Sequence, residues 1–269
     1  MNIRGLHDLR QWQSAMDDWL AEERASVLQQ PLRGRCPLCR EMTDFLGDPN
    51  GEIRERLHCG VCGANTRQRA VVQVLLEALS DAGTARVYAT EQVSFFYRML
   101  RTHVGKLYGG EYGLHPRRRL RLQLWMWRNR ILERLVPRDL TALDFVDGSL
   151  DAVVSLDVLE HIPAYEDALR EVARVVRPGG VFVFTVPFYE DTAGSRRIAW
   201  LREDGRIEFD GEPEYHGDPV SGGVPCFHHF GWELLVTLRE AGFADAQALR
   251  VHSVEAGVPQ GQWVFRARR

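Results

Sequence analysis

The chain has 269 residues, 45% of them hydrophobic and 26% charged, and a formal net charge of −3. This length provides a core for one main domain with an appendage, and the acidic balance argues against a protein that wraps nucleic acid through overall positive potential. The sequence shows neither an apolar run of the ~20 residues that a bilayer span needs nor a signal-peptide pattern, so we expect a cytoplasmic protein with no membrane partner.

Residues 1–30 are predicted to form an amphipathic N-terminal helix. Apolar residues recur there at mostly helical spacing, and acidic residues lie between them. A helix that binds a membrane surface normally carries basic residues beside its apolar stripe. We therefore expect the stripe to pack on the protein itself.

Two cysteine pairs follow, in a segment that we assign to residues 31–70. The pairs are Cys36 with Cys39 and Cys59 with Cys62. Two CxxC pairs at this spacing can place four thiolates around one tetrahedral zinc ion, and metal binding would supply much of the folding energy of so small a module. A redox role for the pairs is the alternative. Because all four positions are cysteine, none is left for a catalytic water, and the predicted Zn²⁺ is structural.

An apolar helix over residues 71–79 opens the second predicted domain, residues 71–269. Arg67 and Arg69 come directly before it. They could contact a phosphate of a substrate or a nucleic acid, or they could pair with surface carboxylates.

The first part of this domain is predicted to alternate strands and helices. We expect a strand at 85–90, a helix at 95–101 and a strand at 106–112. The turn between the first strand and the helix, residues 90–94, contains no glycine.

Residues 115–134 form a basic and aromatic segment. It holds seven arginines and one glutamate, with Trp125 and Trp127 among them. Such a segment could form a lid, contact a polyanion or lie on a membrane surface. It could also be a crossover helix whose arginines are solvated at the edge of the sheet, and this is the interpretation that we favour.

A strand, a helix and a second strand are predicted between residues 152 and 186. The run 152–156 is apolar without helical spacing, and the amphipathic helix that follows stops at Arg177-Pro178-Gly179-Gly180. Short connections between these elements predict a parallel sheet. Open α/β sheets bind ligands at the carboxyl ends of their strands, where Asp157, Glu160 and His161 fall.

Two motifs resemble the class I S-adenosyl-L-methionine (SAM)-dependent methyltransferases of the methyltransferase type 11 kind. They are DVLEHIP at 157–163 and RPGG at 177–180. The resemblance spans roughly 85–269 and implies an α/β, Rossmann-like class I methyltransferase fold. Its expected core is a mostly parallel seven-stranded sheet flanked by helices, with the small zinc ribbon N-terminal to it.

The same resemblance implies SAM as the cofactor. The residues that would bind it are Thr90, Glu91, Gln92, Glu111, Asp139, Leu140 and Asp157. In this interpretation Glu111 accepts hydrogen bonds from the ribose hydroxyls, Asp139 accepts one from the adenine amine, and Leu140 packs near the ring. The family usually has a glycine-rich loop after its first strand. Here residues 90–94 replace it, so side chains of Glu91 and Gln92 would have to meet the polar groups of the cofactor.

Three histidines are candidates for a catalytic base: His161, His216 and His228. An imidazole near its ordinary pKa can accept a proton from a hydroxyl or amine nucleophile. Each of them could instead be a structural hydrogen-bonding residue. A second metal site formed by His216, His228 and His229 is also conceivable.

A late helix at 232–243 and a final strand at 262–268 agree with the same fold. The predicted reaction is methyl transfer from SAM to an oxygen, nitrogen or carbon nucleophile of a small molecule or biosynthetic intermediate. One alternative is an RNA methyltransferase that grips nucleic acid with the zinc ribbon and the Arg-rich segment. Another is a degenerate methyltransferase fold kept as a binding protein or scaffold. No oligomeric state is indicated.

Overall fold

The computed structural model of the chain describes residues 2–3, 6–29, 31–47, 52–113, 115–217 and 223–269. Its helices are α1 (Leu6–Gln29), α2 (Ile53–Arg56), α3 (Thr66–Ala78), α4 (Phe95–Leu100), α5 (Pro116–Arg128), α6 (Tyr165–Val175) and α7 (Leu234–Glu240). Its strands are β1 (Asn2–Ile3), β2 (Leu32–Arg35), β3 (Met42–Leu46), β4 (His58–Cys59), β5 (Arg86–Ala89), β6 (Lys106–Gly109), β7 (Leu150–Leu156), β8 (Val176–Thr185), β9 (Arg196–Arg197), β10 (Ala199–Leu201), β11 (Ile207–Phe209), β12 (Tyr215–His216), β13 (Val224–Pro225), β14 (His228–His229), β15 (Asp245–Ser253) and β16 (Val258–Arg268). A 3₁₀ turn, Leu159–His161, follows β7.

One mixed sheet organises these elements. Its strand order is β1-β15-β16-β8-β7-β5-β6, and β5 to β8 are paired in parallel. Because β16 is antiparallel to both β8 and β15, β15 runs in the same direction as β8. The predicted Rossmann-like class I methyltransferase fold is therefore confirmed. Six of its strands have at least 4 residues, and the two-residue β1 completes the edge beside β15.

Beyond β6 the sheet continues only as isolated bridges among the described residues. Glu111 pairs in parallel with Pro137, and Asp139 pairs with Ala142 across a tight turn. Pro137 has no backbone N–H to donate, so a regular ladder cannot continue through it. The carbonyl of Glu111 instead accepts from the amide of Arg138 at 3.0 Å.

Helix α6 ends at Val175, just before the RPGG motif, as predicted, but β8 already begins at Val176 and includes the motif. Gly179 has a φ of +76°, a conformation that strongly favours glycine. A Cβ on Gly180 would lie 2.8 Å from the carbonyl oxygen of Asp151 on β7. The two glycines therefore let the start of β8 bend and pass close to its neighbour.

Helices cover both faces of the sheet. On one face α6 packs its apolar stripe, including Leu169 and Val172, against Val153 of β7. On the other face α3 packs against Ala152 and Val154 of the same strand. Alternate residues of β7 thus enter different cores, which explains why its sequence is apolar throughout.

The cysteine-containing segment is fixed to the sheet by a buried arginine, Arg69. Its guanidinium donates to the carbonyl oxygens of Leu57 at 3.1 Å and, beyond β15, of Ala256 at 3.1 Å and Gly257 at 2.6 Å. It also lies 4.5 Å from the centre of the Phe45 ring. Burial lowers the pKa of Arg69 to about 10. Neither phosphate contact nor surface pairing describes this residue, since it is fully buried.

The N-terminal helix α1 packs against β15 and β16, as its acidic flanks predicted. Leu9 is fully buried, the Arg250 guanidinium lies 5.2 Å from the Trp12 ring, and Glu23 accepts from the amide of Gln260 at 2.7 Å. Among the described helices, none combines the length and apolar character required to cross a membrane.

The expected division of the chain at residues 70 and 71 falls inside α3, which runs from Thr66 to Ala78. One continuous apolar core also joins Phe45 of the cysteine segment to Val258 of the sheet. The proposed domain boundaries remain predictions.

Candidate functional site

The four cysteine side chains converge at the turns beside the small sheet β2-β3-β4. Their sulfur atoms all lie within 4.8 Å of one another, with 3.8 Å between Cys36 and Cys62 and 3.7 Å between Cys39 and Cys59. A tetrahedral zinc ion with Zn–S bonds of about 2.3 Å requires S···S separations of about 3.8 Å. The hydrogen bond from the Cys62 thiol lowers the pKa of Cys36 to about 5. The cluster therefore has the size and the ligand type of a structural zinc site.

Asp157 sits at the carboxyl end of β7 between two arginines of the N-terminal segment. Both its carboxylate oxygens accept from Arg54 Nη2, at 2.8 Å and 2.6 Å, and Arg67 Nη1 lies 3.2 Å away. Thr185 Oγ1 also donates to it at 2.7 Å. Burial would raise the pKa of this carboxyl, but Arg67 and then Arg54 outweigh burial and hold the pKa below its usual range. Asp157 is therefore ionised and has a φ of +50°, which orients it away from the strand.

The loop that replaces the family's glycines is held by Glu111. One oxygen of this carboxylate accepts from the amides of Gln92 at 2.8 Å and Val93 at 2.7 Å. The side chain of Gln92 is buried and bonds to the backbone of residues 134 and 136. Thr90 donates to Ser155 Oγ at 2.9 Å. These residues are thus gathered at the carboxyl ends of β5, β6 and β7, as predicted, but with contacts inside the protein.

The positive charge of Arg67 acts on the carboxyl group of Glu91. Burial raises the pKa of Glu91, while the Ser94 hydrogen bond and then Arg67 oppose that rise. Glu91 therefore adds a second carboxyl to the group around Asp157.

Asp139 and Leu140 occupy the turn that follows the reduced strand. Asp139 Oδ1 accepts from the amide of Thr141 at 2.9 Å and from its hydroxyl at 2.7 Å, which closes an Asx turn. Leu140 is buried in the same core as Tyr88 and Leu143. In this conformation Leu140 contributes to packing, and Asp139 accepts both hydrogen bonds from Thr141 with one oxygen.

Two of the three candidate histidines come together, and the third lies elsewhere. The rings of His161 and His216 are 5.1 Å apart, on either side of Glu160. His228 is buried against Tyr165, with its Nε2 3.2 Å from the carbonyl oxygen of Pro163. Burial lowers the pKa of His228. His228 is therefore a packed structural residue, and the predicted role as a base is open only to His161 and His216.

A cavity of about 630 Å³ adjoins the Asp157 cluster. Its wall includes Arg54, so this arginine links the cavity to Asp157. Phe188 and Trp263 supply apolar surface, while Glu190 and Arg250, joined at 2.7 Å, supply charge. Such a mixture of aromatic walls and few charged groups is typical of sites for small ligands.

Two residues of this region carry no sequence signal of their own. Arg54 lies between the cysteine pairs in a segment without a motif. Glu214 contacts two imidazoles from its place before β12. Glu160 belongs to the DVLEHIP motif, but no pattern in the sequence reveals that its carboxylate is fully buried.

Comparisons with known proteins agree with this architecture. Residues 94–184 match the family model described as a methyltransferase domain. Over 106 residues the chain is 34% identical to the sterol 24-C-methyltransferase of Aspergillus fumigatus, covering 37% of this chain and 26% of that protein. Over 67 residues it is 39% identical to the sarcosine/dimethylglycine N-methyltransferase of Halorhodospira halochloris, covering 25% of this chain and 24% of that protein. The chain thus spans about a quarter of the length of these relatives.

Solved structures with a similar arrangement include an S-adenosylmethionine-dependent methyltransferase from Mesorhizobium loti. It is 19% identical, covers 74% of this chain and 98% of its own, and has a TM-score of 0.47. The DesVI structure from Streptomyces venezuelae is 16% identical, covers 76% of this chain and 89% of its own, and has a TM-score of 0.47. Residues 94–184 thus match the methyltransferase domain family, and the strand order of the sheet is that of the Rossmann-like class I methyltransferase fold.

Proposed function

We propose that the chain is a SAM-dependent methyltransferase that acts on an oxygen, nitrogen or carbon nucleophile of a small molecule or biosynthetic intermediate. The observation that carries the proposal is the pairing of opposite charges at the end of β7. Asp157 offers a carboxylate, and Arg54 and Arg67 offer guanidinium groups beside it. The methionine end of SAM carries an ammonium and a carboxylate, so these side chains offer a group of opposite charge to each of them.

The loop 90–94, which has no glycine, is compatible with this role because Glu111 holds its backbone in place. By accepting from the amides of Gln92 and Val93, Glu111 fixes the loop against the end of β6. Glu111 and Asp139 are the residues that we assign to the ribose hydroxyls and the adenine amine, with Leu140 near the ring. The zinc ion would be structural and would keep Arg54 and Arg67 in place.

The cavity beside Arg54 is the proposed acceptor site. Its volume of about 630 Å³ suits a small molecule. SAM supplies an activated methyl group on a good leaving group, so the protein contributes mainly by positioning the acceptor in line. His161 and His216 are the proposed acceptors of a proton from the nucleophile. Action in the cytoplasm is part of the same proposal.

The test is calorimetric titration of zinc-replete full-length protein with SAM and with S-adenosylhomocysteine. We expect micromolar affinity for wild type and at least a tenfold loss in Asp157→Asn and Glu111→Gln. Asp167→Asn serves as the control, since Asp167 is exposed on α6. Absence of binding at millimolar ligand would refute the proposal and favour the scaffold alternative.

A second candidate is methylation of RNA, because α5 exposes a basic and aromatic surface. Arg117, Arg121 and Arg128 are exposed there together with Trp127, whose exposed fraction is 50%. Arginines beside an aromatic ring suit phosphates and stacked bases. A steep fall of RNA affinity with rising salt would support this function, provided that the salt dependence disappears in the double variant Arg117→Gln/Arg121→Gln.

A further inference from the structure

The 3₁₀ turn after β7 and strand β12 bring three metal-ligating side chains together, away from the cysteine cluster. They are Glu160, His161 and His216, whose ligand atoms all lie within 4.8 Å of one another. Glu160 Oε1 is 3.5 Å from His216 Nδ1 and 3.7 Å from His161 Nε2. Metal–ligand bonds of about 2.0–2.2 Å would place such atoms about 3–3.5 Å apart, so only a small contraction is needed.

Glu160 is the independent sign that a ligand belongs here. Its side chain is fully buried, and neither carboxylate oxygen has a hydrogen-bond partner among the described residues. Burying a carboxylate without hydrogen-bond donors destabilises the folded state, and native proteins keep one where it is paired, protonated or bound to a metal. Burial raises the pKa of Glu160.

The two imidazoles are oriented as metal ligands. His161 Nδ1 lies 2.8 Å from the carbonyl oxygen of Pro225, which can only accept, so this nitrogen carries the proton and Nε2 turns its lone pair to Glu160. His216 Nε2 lies 3.0 Å from Glu214 Oε1 and can donate its proton there, and Nδ1, which faces Glu160 at 3.5 Å, is the atom that would bind an ion. Metal-bound histidines usually donate their other N–H to a carbonyl or carboxylate in this way.

Glu214 is itself held in position. Its second oxygen accepts from His229 Nε2 at 2.7 Å. The cluster thus has an inner set of three ligands and an outer set of Glu214, His229 and the Pro225 carbonyl. An outer set that fixes tautomer and orientation is what distinguishes a built site from a chance meeting of polar side chains.

We propose that Glu160, His161 and His216 bind a divalent first-row transition-metal ion. Two imidazoles and one carboxylate suit ions such as Zn²⁺, Mn²⁺, Fe²⁺ or Co²⁺ better than the all-oxygen sites of Ca²⁺. Three protein ligands leave coordination positions for water or a substrate oxygen. The ion changes the role of His161 and His216 from proton acceptors to ligands.

The site lies three residues after Asp157, at the edge of the sheet where ligands bind. A bound ion there would lower the pKa of a hydroxyl on the methyl acceptor. That role rests on the proposed function, whereas metal binding itself does not.

The experiment titrates zinc-replete full-length protein with Co²⁺ and follows its absorption. With the cysteines occupied by zinc, we expect one further equivalent of Co²⁺ with visible d–d bands and no thiolate-to-cobalt charge transfer. Glu160→Gln and His216→Asn should each weaken this binding at least tenfold, while the control His252→Asn, whose ring contacts Glu23 on α1, should bind as wild type does.

Melting curves keep the test valid if a variant folds poorly. Co²⁺ should raise the Tm of wild type but not that of Glu160→Gln, which keeps the shape of the side chain and removes its charge. Any of three results would overturn the proposal. Wild type and Glu160→Gln could bind Co²⁺ equally, or wild type could fail to bind it. The spectrum could also show only charge transfer, from exchange of Co²⁺ for zinc at the cysteines. SAM affinity, measured separately, shows whether the proposed function holds when the metal site fails.

Discussion

Arg54 Nη2 donates to both carboxylate oxygens of Asp157, at 2.8 Å and 2.6 Å. The arginine belongs to α2, between the two cysteine pairs, and the aspartate directly follows β7 of the sheet. The contact is charge-assisted and only partly exposed, so it joins the metal module to the proposed cofactor site directly. Zinc binding and cofactor binding are therefore expected to be coupled.

Replacing Arg54 with methionine should destabilise the protein by about 1–2 kcal/mol, because Asp157 then keeps only Arg67 as a charged partner. Urea unfolding of zinc-replete protein measures this change. Arg56→Met on the same helix is the matched control, since Arg56 is exposed, and it should change stability by less than about 0.5 kcal/mol. In a double-mutant cycle with Asp157→Asn, independent effects of the two substitutions would contradict the pairing.

Removal of zinc should weaken SAM binding by at least tenfold. The cysteine module would lose its fold, and Arg54 and Arg67 would then no longer be held at Asp157. Calorimetry before and after chelation measures the affinity, and zinc content is measured on the same samples. Recovery of SAM affinity on adding zinc back is the control for irreversible damage. Unchanged SAM affinity in zinc-free protein would show that zinc binding and cofactor binding are not coupled.

The sheet could be predicted from the sequence because its signals are local. The apolar run of β7 and the helical stripe of α6 each indicate which of their residues are buried, and two short motifs indicate the family. The end of the sheet beyond β6 could not be predicted, because the effect of Pro137 depends on its partner Glu111, which only the folded chain brings beside it. The early start of β8 at Val176 was missed for a similar reason, since Gly180 allows a close approach to Asp151 that the sequence does not reveal.

The places of Glu111 and Asp157 in the fold could be predicted from the sequence, but their contacts could not, and their roles remain predictions. Glu111 and Asp157 were found by their places at strand ends. Their partners are the loop amides and Arg54, and no spacing in the sequence connects Arg54 to a residue 103 positions away. The burial of Glu160 was equally hidden, because a carboxylate in a motif normally suggests contact with a ligand or solvent.

Arg69→Met should destabilise the protein by about 3 kcal/mol or more. The substitution keeps some apolar contact with Phe45 but leaves the buried carbonyls of Leu57, Ala256 and Gly257 without their donor. Chemical unfolding measures the loss, and Arg33→Met on the exposed side of β2 is the control. Hydrogen exchange should rise first at residues 253–258 and in the cysteine module. A loss below about 1 kcal/mol would mean that water replaces the guanidinium without difficulty.

Glu171→Gln should remove a contribution to stability that depends on pH. Glu171 accepts from Arg174 and from the amide of Leu143, each at 2.7 Å, and the Arg174 hydrogen bond is the main cause that lowers the pKa of Glu171. A lowered pKa in the folded state means that the contribution is complete above the unfolded pKa of about 4.3 and is lost as pH falls through the folded pKa.

Urea unfolding across pH 3–7 should therefore show wild type more stable than Glu171→Gln by about 1 kcal/mol near neutral pH, with the difference shrinking in acid. Asp167→Asn provides the comparison on the same helix. Asp167 and its partner Arg170 are 54% and 60% exposed, so solvent screens their pair and the substitution should cost less. If the difference between wild type and Glu171→Gln stayed constant down to pH 3, the charge of Glu171 would not be its cause.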